Sequence, residues 1–332
     1  MEKILFLSII ASFLITFYFI PIWIKRAGKV GLTGKDINKK DKKEIPEAGG
    51  INVVFGFIFG VLVYIAIRTF YLKVDGVTIE IFALTTSILI ISFIGMIDDI
   101  LGWKIGLGKK ARVIFVLFAA VPLMVINAGE STIYLPILGA TNLGVFYALI
   151  LIPLGIVGAS TTFNFLAGYN GLEAGQGVLI LSALAYVSFV TGTSWLALIG
   201  LCMVASLIAF LFYNKYPAKI FPGDVMTYSV GALIAIMAIL GNYELFALFI
   251  FIPYILETAL KIRGRLEKES FGEIQPDGSI KNKYDKIYGL EHLAIIILEK
   301  VKKSKKAYEI EVVLLIYAFQ LAIIFLGFFI IL

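Results

Sequence analysis

The sequence predicts an all-α polytopic integral membrane protein of about ten transmembrane helices, with a small β-hairpin and a surface helix in its last polar connector. Three observations carry that reading. The 332 residues are 60% hydrophobic and 16% charged, against roughly 25% charged in a soluble domain, so there are too few polar groups to cover a soluble surface. The apolar residues gather into runs of spanning length. The lysines and arginines fall almost wholly between alternate runs.

In chain order the apolar runs are 4–24, 49–71, 80–97, 111–127, 143–163, 177–192, 194–213, 225–241, 244–260 and 310–332. A hydrocarbon core of about 30 Å takes ~20 residues of helix, so ten spans use roughly 200 residues. The first run is too long for the apolar core of a cleaved signal and lacks an Ala-x-Ala ending, so it is expected to stay as a span. Gly192-Thr193 provides the short break between the sixth and seventh runs. Pro122, Pro153 and Pro253 lie inside runs, and a bundle tolerates them where neighbouring helices satisfy the freed backbone groups. A single cysteine, Cys202, and a single histidine, His292, exclude an internal disulfide and a multi-histidine metal site. His292 reads as an interfacial residue of a surface-lying stretch at 289–301.

The connectors 25–48, 98–112, 164–176, 214–224 and 261–309 hold 8, 4, 0, 2 and 12 lysines and arginines, 26 of the 29 in the chain. With ten spans all five connectors share one face. The positive-inside rule makes that face cytoplasmic and puts both termini outside. A net charge of +6 then reports sidedness and attraction to membrane lipids; nucleic acid is not an expected partner. The same connectors carry Asp98, Asp99, Asn164, Asn170, Glu173, Asp224, Arg263 and Arg265. Chemistry is therefore expected at the membrane boundary and not along a midplane path, which counts against a transporter, the competing class. Residues 1–332 read as a single transmembrane catalytic domain with 261–309 as a cytoplasmic loop within it.

Several stretches suit particular chemistry. Adjacent carboxylates at Asp98-Asp99 suit a divalent cation, a basic partner or proton transfer, and equally a solvated helix end. Neighbours on a helix do not share a face, so the two are expected to differ in role. The stretch from Asn164 to Gln176 packs three glycines, two asparagines and a glutamate behind a span, more than a plain turn needs. Glycine permits close backbone approach to a ligand, and asparagine reads a base edge or ligates a hard cation. Asp224, in Phe221-Pro-Gly-Asp at the entrance of the eighth run, suits either a helix cap or a magnesium site shared with Asn164, with Phe221 available to stack on a base. Arg263-Gly-Arg265 presents forked guanidinium groups to phosphate. Pro276-Asp277-Gly278 marks a hairpin, and the Lys300–Lys306 run suits anionic lipid headgroups.

Together these motifs resemble the polyprenyl-phosphate N-acetylhexosamine-1-phosphate transferases of the glycosyltransferase 4 type. They are most similar to the eukaryotic and archaeal branch that makes N-acetylglucosaminyl-diphosphodolichol. The resemblance runs from Asp36-Ile-Asn-Lys and Ile45-Pro-Glu-Ala-Gly-Gly50 through Asp98-Asp99 and the Asn164–Gln176 stretch to Asn214-Lys-Tyr-Pro, Phe221–Asp224 and Arg263-Gly-Arg265. It implies transfer of N-acetylglucosamine 1-phosphate from UDP-N-acetylglucosamine to dolichyl (polyprenyl) phosphate, with release of UMP, as the first step of lipid-linked oligosaccharide assembly for protein N-glycosylation. The same transfer with another UDP-N-acetylhexosamine or another lipid is the alternative. It further implies Mg²⁺, or Mn²⁺ in its place, on Asn164 and Asp224. Asn170 and Phe221 fall at the uridine, and Lys35, Ile37 and Glu47 fall where the first connector covers the nucleotide. Lys110, one step from Lys109, falls at the lipid phosphate, and Arg263 and Arg265 at the diphosphate and sugar. Bacterial relatives carry a histidine-rich motif in the last connector that is missing here, which disfavours a peptidoglycan-precursor donor. Thr161 stands where relatives often have asparagine, so contacts at the lipid phosphate are expected to differ. An archaeal plasma membrane fits the Lys- and Ile-rich chain, or the endoplasmic reticulum in a eukaryote, and the assembly state lies between monomer and homodimer.

Phosphoryl transfer rests mostly on positioning and charge cancellation. A phosphate monoester has a second pKa near ~6, so an attacking lipid phosphate is already mostly dianionic at neutral pH. Asp98 and Asp99 are therefore expected to set electrostatics, one pairing with Lys110 and one lying near the metal, and not to act as a general base.

Overall fold

A computed structural model describes residues 2–102, 106–135 and 139–332. Every predicted span is helical in it: α1 (Phe6–Val30), α2 (Gly50–Ala66), α3 (Thr78–Leu101), α4 (Lys109–Val125), α5 (Ile152–Phe163), α6 (Leu172–Val190), α7 (Ser194–Asn214), α8 (Gly223–Gly241), the pair α9 (Glu244–Ile250) and α10 (Ile252–Arg263), and α12 (Glu309–Ile330), with α11 (Leu290–Val301) between the last two. A π-helical turn, Ile67–Leu72, prolongs α2, and another, Tyr147–Leu151, leads into α5. Seven of these helices, together with the turns that prolong them, are long and apolar enough to cross a bilayer, and the pair α9–α10, bent by 58°, makes an eighth. Helix α4 and the segment Tyr147–Phe163 are shorter, so the expected count of about ten stands at seven to eight by length and apolarity. The bend has a local cause. Pro253 sits in the first turn of α10, where its missing N–H and its ring cannot continue the ladder of the preceding helix.

Helix α8 forms the axis, with 89% of its apolar window buried, whereas α1 and α12 bury 28% of theirs and face outward. Helices α3 and α5 pack on α8, while α6 packs on α7 and α1 on α2. At the crossing of α3 and α8 the backbones nearly touch: a Cβ added to Gly95 would lie 2.7 Å from the Val225 nitrogen. This contact sets the end of α3 beside the start of α8.

The five charged connectors bond to one another at one end of the bundle. The first contributes a hairpin, β1 (Thr33–Lys35) against β2 (Glu44–Pro46). Phe221 N–H donates to the Pro46 carbonyl (2.8 Å), and Gly49 and Gly50 donate back to the carbonyls of Phe221 (2.9 Å) and Pro222 (2.8 Å). Trp23 Nε1 donates to the Glu47 carbonyl at 2.9 Å. The loop after α5 receives Asn38 Nδ2 on the Gly168 carbonyl at 3.1 Å, and Tyr169 reaches the Ser270 carbonyl at 3.5 Å. At the other end a second hairpin, β3 (Thr132–Leu135) with β4 (Gly139–Asn142), belongs to the segment that bonds to the α8–α9 turn through Glu130 N–H and Asn242 Oδ1 (2.8 Å). Neither of these hairpins was legible in the sequence, because their strands are short and lack apolar alternation.

The predicted hairpin is present as β5 (Glu273–Ile274) and β6 (Ile280–Lys281). Helix α11 lies beside it with one face inward, and this corrects the reading of His292. That side chain is wholly buried, accepts the Tyr288 N–H on Nδ1 at 3.3 Å and meets the Tyr284 ring edge-on. Burial, reinforced by the Lys261 charge, pulls its pKa down to about 4.

Candidate active site

Helix α3 runs through Asp98 and Asp99, so both carboxylates stand in its last turn. Negative charge there opposes the helix dipole, and each carboxylate is offset by a different partner. Asp98 is 3% exposed; its Oδ2 pairs with Arg112 of α4 and its Oδ1 accepts the Leu107 N–H at 2.6 Å. Asp99 turns the other way and caps α8, accepting Asp224 N–H on Oδ1 at 2.7 Å and Val225 N–H on Oδ2 at 3.3 Å. The dipole that disfavours Asp99 on its own helix favours it at the start of α8. Gly223 makes the approach feasible: its φ of +70° lies in the left-handed region that favours glycine, and a Cβ there would sit 2.2 Å from Asp99 Oδ2.

Asp224 therefore occupies the first turn of the central helix with its carboxylate toward the connectors. Asn164, at the end of α5, donates Nδ2 to Asp224 Oδ1 at 2.8 Å, and Thr227 Oγ1 donates to Asn164 Oδ1 at 3.1 Å. Arg112 Nη2 lies 3.7 Å from Asp224 Oδ2, with the side chains 31% and 22% exposed. Asp224 and Asp99 are half-buried whereas Asp98 is buried, so Asp224 is a carboxylate that a ligand can reach, with a guanidinium beside it. The Arg112 guanidinium also lies over the Tyr228 ring, 5.7 Å from its centre.

Glu47 approaches from the first connector, near enough to act electrostatically on Asp99. Its carboxylate rests on Gly34, where a Cβ would be 1.9 Å from Oε1, and burial pushes its pKa up. Phe221 is half-buried and tied through its backbone to the same connector. Lys35 is exposed on β1 and Ile37 half-buried just beyond it. Asn170 is buried, and its side-chain amide is engaged by Asp36, with Nδ2 donating to Asp36 Oδ2 at 3.1 Å.

The cluster thus unites Asp98, Asp99, Asn164 and Asp224, with Glu47 and Phe221 at its edge. Lys110 is exposed, and among the described residues it forms no ion pair; the cation on Asp98 is Arg112, not Lys110. Arg263 and Arg265 are exposed and, among the described residues, make no contact with the carboxylates; Arg263 lies 6.0 Å over the Tyr288 ring. Arg112 and Thr227 belong to the cluster as well, although neither stands out in the sequence. Arg112 lies at the boundary of its apolar run beside Lys109 and Lys110, where sidedness alone accounts for a basic residue.

The residue types suit a hard cation: carboxylate oxygens and the Asn164 amide, whose oxygen here accepts from Thr227 while Nδ2 faces Asp224, so that ligation together with Asp224 requires the amide to turn over. Among the described residues no three His, Cys, Asp or Glu side chains form a ready cage. Magnesium is commonly held by one or two carboxylates with substrate phosphates and water completing the shell, so this donor set fits it.

A helical membrane bundle with carboxylates, an amide and a guanidinium gathered at one polar end is the architecture of an integral membrane enzyme acting on anionic substrates. Comparison with known proteins makes the assignment specific. The model of glycosyl transferase family 4 matches residues 81–242. A protein of Saccharolobus solfataricus is 40% identical over 319 residues, covering 95% of this chain and 92% of its own. The UDP-N-acetylglucosamine–dolichyl-phosphate N-acetylglucosaminephosphotransferase of Dictyostelium discoideum is 31% identical over 73% of this chain and 68% of its own; the Saccharolobus protein carries that name provisionally. The phospho-N-acetylmuramoyl-pentapeptide-transferase of Halalkalibacterium halodurans is 30% identical over 78% of this chain and 81% of its own. The chain belongs to glycosyl transferase family 4.

Proposed function

We propose that this protein transfers N-acetylglucosamine 1-phosphate from UDP-N-acetylglucosamine to dolichyl or another polyprenyl phosphate, at the cytoplasmic side of an archaeal plasma membrane. The observation that carries the proposal is the meeting of Asn164 and Asp224 with Arg112 at the connector end of the bundle, in a chain similar over most of its length to a transferase of that name. An oxygen of the lipid phosphate attacks the β-phosphorus of the nucleotide sugar. The bond from that phosphorus to the bridging oxygen breaks, and UMP leaves with the oxygen.

Each residue has a task in this reading. Asp224 and Asn164 hold Mg²⁺, which when bound supplies positive charge at the diphosphate. Arg112 is the cation set to receive the lipid phosphate, since its guanidinium is partly exposed beside Asp224. Asp98 keeps that guanidinium in place, and Asp99 fixes the first turn of α8, so neither needs to accept a proton. The exposed Lys110, Arg263 and Arg265 are free to close on substrate phosphates and sugar, while Glu47, Ile37 and Lys35 cover the nucleotide and Asn170 and Phe221 meet its base.

The test uses purified protein in detergent with Mg²⁺, dolichyl phosphate and radiolabelled UDP-N-acetylglucosamine. Label is expected in the extracted lipid, abolished by EDTA and by Asp224→Ala. The Halalkalibacterium relative favours a second reading, the same transfer with a different donor; label from another UDP-sugar alone would establish that one instead. Absence of transfer from every sugar nucleotide, with folded protein, would defeat both.

A further inference from the structure

Residues of three connectors, Asp36 and Lys39 of the first, Asn170 of the third and Glu309 at the end of the last, close a ring at the connector end. The Asn170 backbone N–H donates to Glu309 Oε1 at 2.8 Å, and its side-chain Nδ2 donates to Asp36 Oδ2 at 3.1 Å. The Lys39 ammonium joins the two carboxylates, paired with Glu309 Oε2 and 3.6 Å from Asp36 Oδ2. It also rests 4.1 Å over the Tyr216 ring. Asp36 and Glu309 are 6% and 4% exposed, so the ring is built into the fold and is not a solvated surface contact. Glu309 is not spent on capping its own helix, because Glu311 accepts the Tyr308 N–H in that role.

The ring constrains one chemical property of Asn170. A carboxylate only accepts hydrogen bonds, so the NH₂ end of the amide must face Asp36. The carbonyl end, Oδ1, is left as the group Asn170 can offer a ligand, and it accepts no hydrogen bond from the described residues. An amide free to rotate would serve a donor or an acceptor equally; this one offers an acceptor alone.

We infer that Asp36, Lys39 and Glu309 are positioning residues that lock the Asn170 amide with its carbonyl outward, so that the nucleotide site selects a base edge carrying a hydrogen-bond donor. The imide N–H of uracil is such a donor, whereas the same ring position of cytosine is an acceptor. The inference rests on the proposed function in one respect, that Asn170 meets the base. It explains why two buried carboxylates and a half-buried ammonium gather around a single asparagine.

Binding of UMP and CMP to the purified full-length protein, measured by calorimetry in detergent, tests the inference without requiring transfer. Wild type is expected to prefer UMP. In Asp36→Asn the new amide can donate as well as accept, so the Asn170 amide is free to flip, and the preference for UMP over CMP is expected to fall about tenfold, with CMP binding held or improved. Glu309→Gln keeps an acceptor for the Asn170 N–H but loses the charge that holds Lys39; a smaller fall in the same ratio is expected, and this variant stands in if Asp36→Asn does not fold. Equal weakening of both nucleotides in the two variants would reduce the ring to a structural role and overturn the inference. Wild type that transfers label but does not distinguish UMP from CMP would overturn it and leave the proposed function intact. Wild type that binds neither nucleotide and transfers nothing would remove both.

Discussion

Substitution of Asp99 separates a capping role from a proton-transfer role. The carboxylate takes two backbone N–H groups of α8, at 2.7 and 3.3 Å, and a hydrogen bond to a charged group contributes about 1.5–3 kcal/mol. Asp99→Asn keeps one acceptor oxygen and loses the charge and one bond. It should cost about 1.5–3 kcal/mol of stability by that measure, near the upper range of a lost helix cap, ~2 kcal/mol. Asp224 sits on the residue that is capped, so the first turn of α8 should also shift, and a displacement on the order of 1 Å costs about 100-fold in rate. The assay is initial-rate transfer across the neutral-to-alkaline range at saturating substrates, with thermal unfolding in detergent alongside. A pH–rate curve lowered in parallel with that of wild type, together with a lower unfolding temperature, is expected. A defect that high pH fully restores, in protein as stable as wild type, would refute the capping argument and make Asp99 a base.

Asn164→Ala and Asp224→Ala should each lower transfer on the order of 100- to 1000-fold, as loss of a charge-stabilising group does, and raise the Mg²⁺ concentration needed for half-maximal rate; an unchanged Mg²⁺ dependence would remove them from the metal. Arg112→Ala should raise KM for the lipid phosphate about 10-fold or more while KM for the nucleotide sugar stays, and lipid-substrate titration decides between it and Lys110→Ala. Gly95→Ala should destabilise by roughly 1–3 kcal/mol, since the added methyl meets α8 backbone and not a yielding side chain; thermal unfolding reads it directly. His292, with its pKa depressed to about 4 from an ordinary ~6.5, contributes stability that is fully present above ~6.5 and lost as pH falls toward 4. Glu291, pushed well above the carboxylate range by burial and by the neighbouring Glu257, contributes in the opposite sense, and its share fades as pH rises. Hydrogen exchange of α11 should therefore be slowest between these limits, and His292→Phe should flatten the acid side.

The helices were legible because hydropathy is a local property: a run of apolar residues reports its own length and needs no knowledge of its partners. The pairs within the site are not local. Asp99 caps a residue 125 positions away and Lys39 meets one 270 positions away, so no spacing in the sequence encodes either. Asp98, Asn164 and Asp224 could be singled out since a carboxylate or a cluster of amides at the end of an apolar run is unusual by itself. Arg112 could not be told from the flanking lysines, because a basic residue at a membrane boundary is what sidedness alone produces. What distinguishes it is a partner, and partners appear only when the helices pack.

The same logic explains why the connectors are polar and yet fixed. Asp98, Asp99, Asp36 and Glu309 each bond to an element other than their own. A buried carboxylate without such a partner would cost several kcal/mol; Asp98 finds its partners within its own connector, whereas Asp99, Asp36 and Glu309 are tolerable only once two connectors have met. The charges that prepare the site for anions therefore also make the assembly of its loops interdependent. Removing one partner should loosen more than one connector. Lys39→Met is the sharpest instance: it leaves both Glu309 and Asp36 without their shared cation, and hydrogen exchange is expected to rise together in residues 36–43 and 166–172, on either side of the broken ring. A rise confined to 36–43 would mean that the loop carrying Asn170 is held by its other bonds, from Gly168 N–H to Glu173 and from Tyr317 to the Gly171 carbonyl, and that the connectors fold independently.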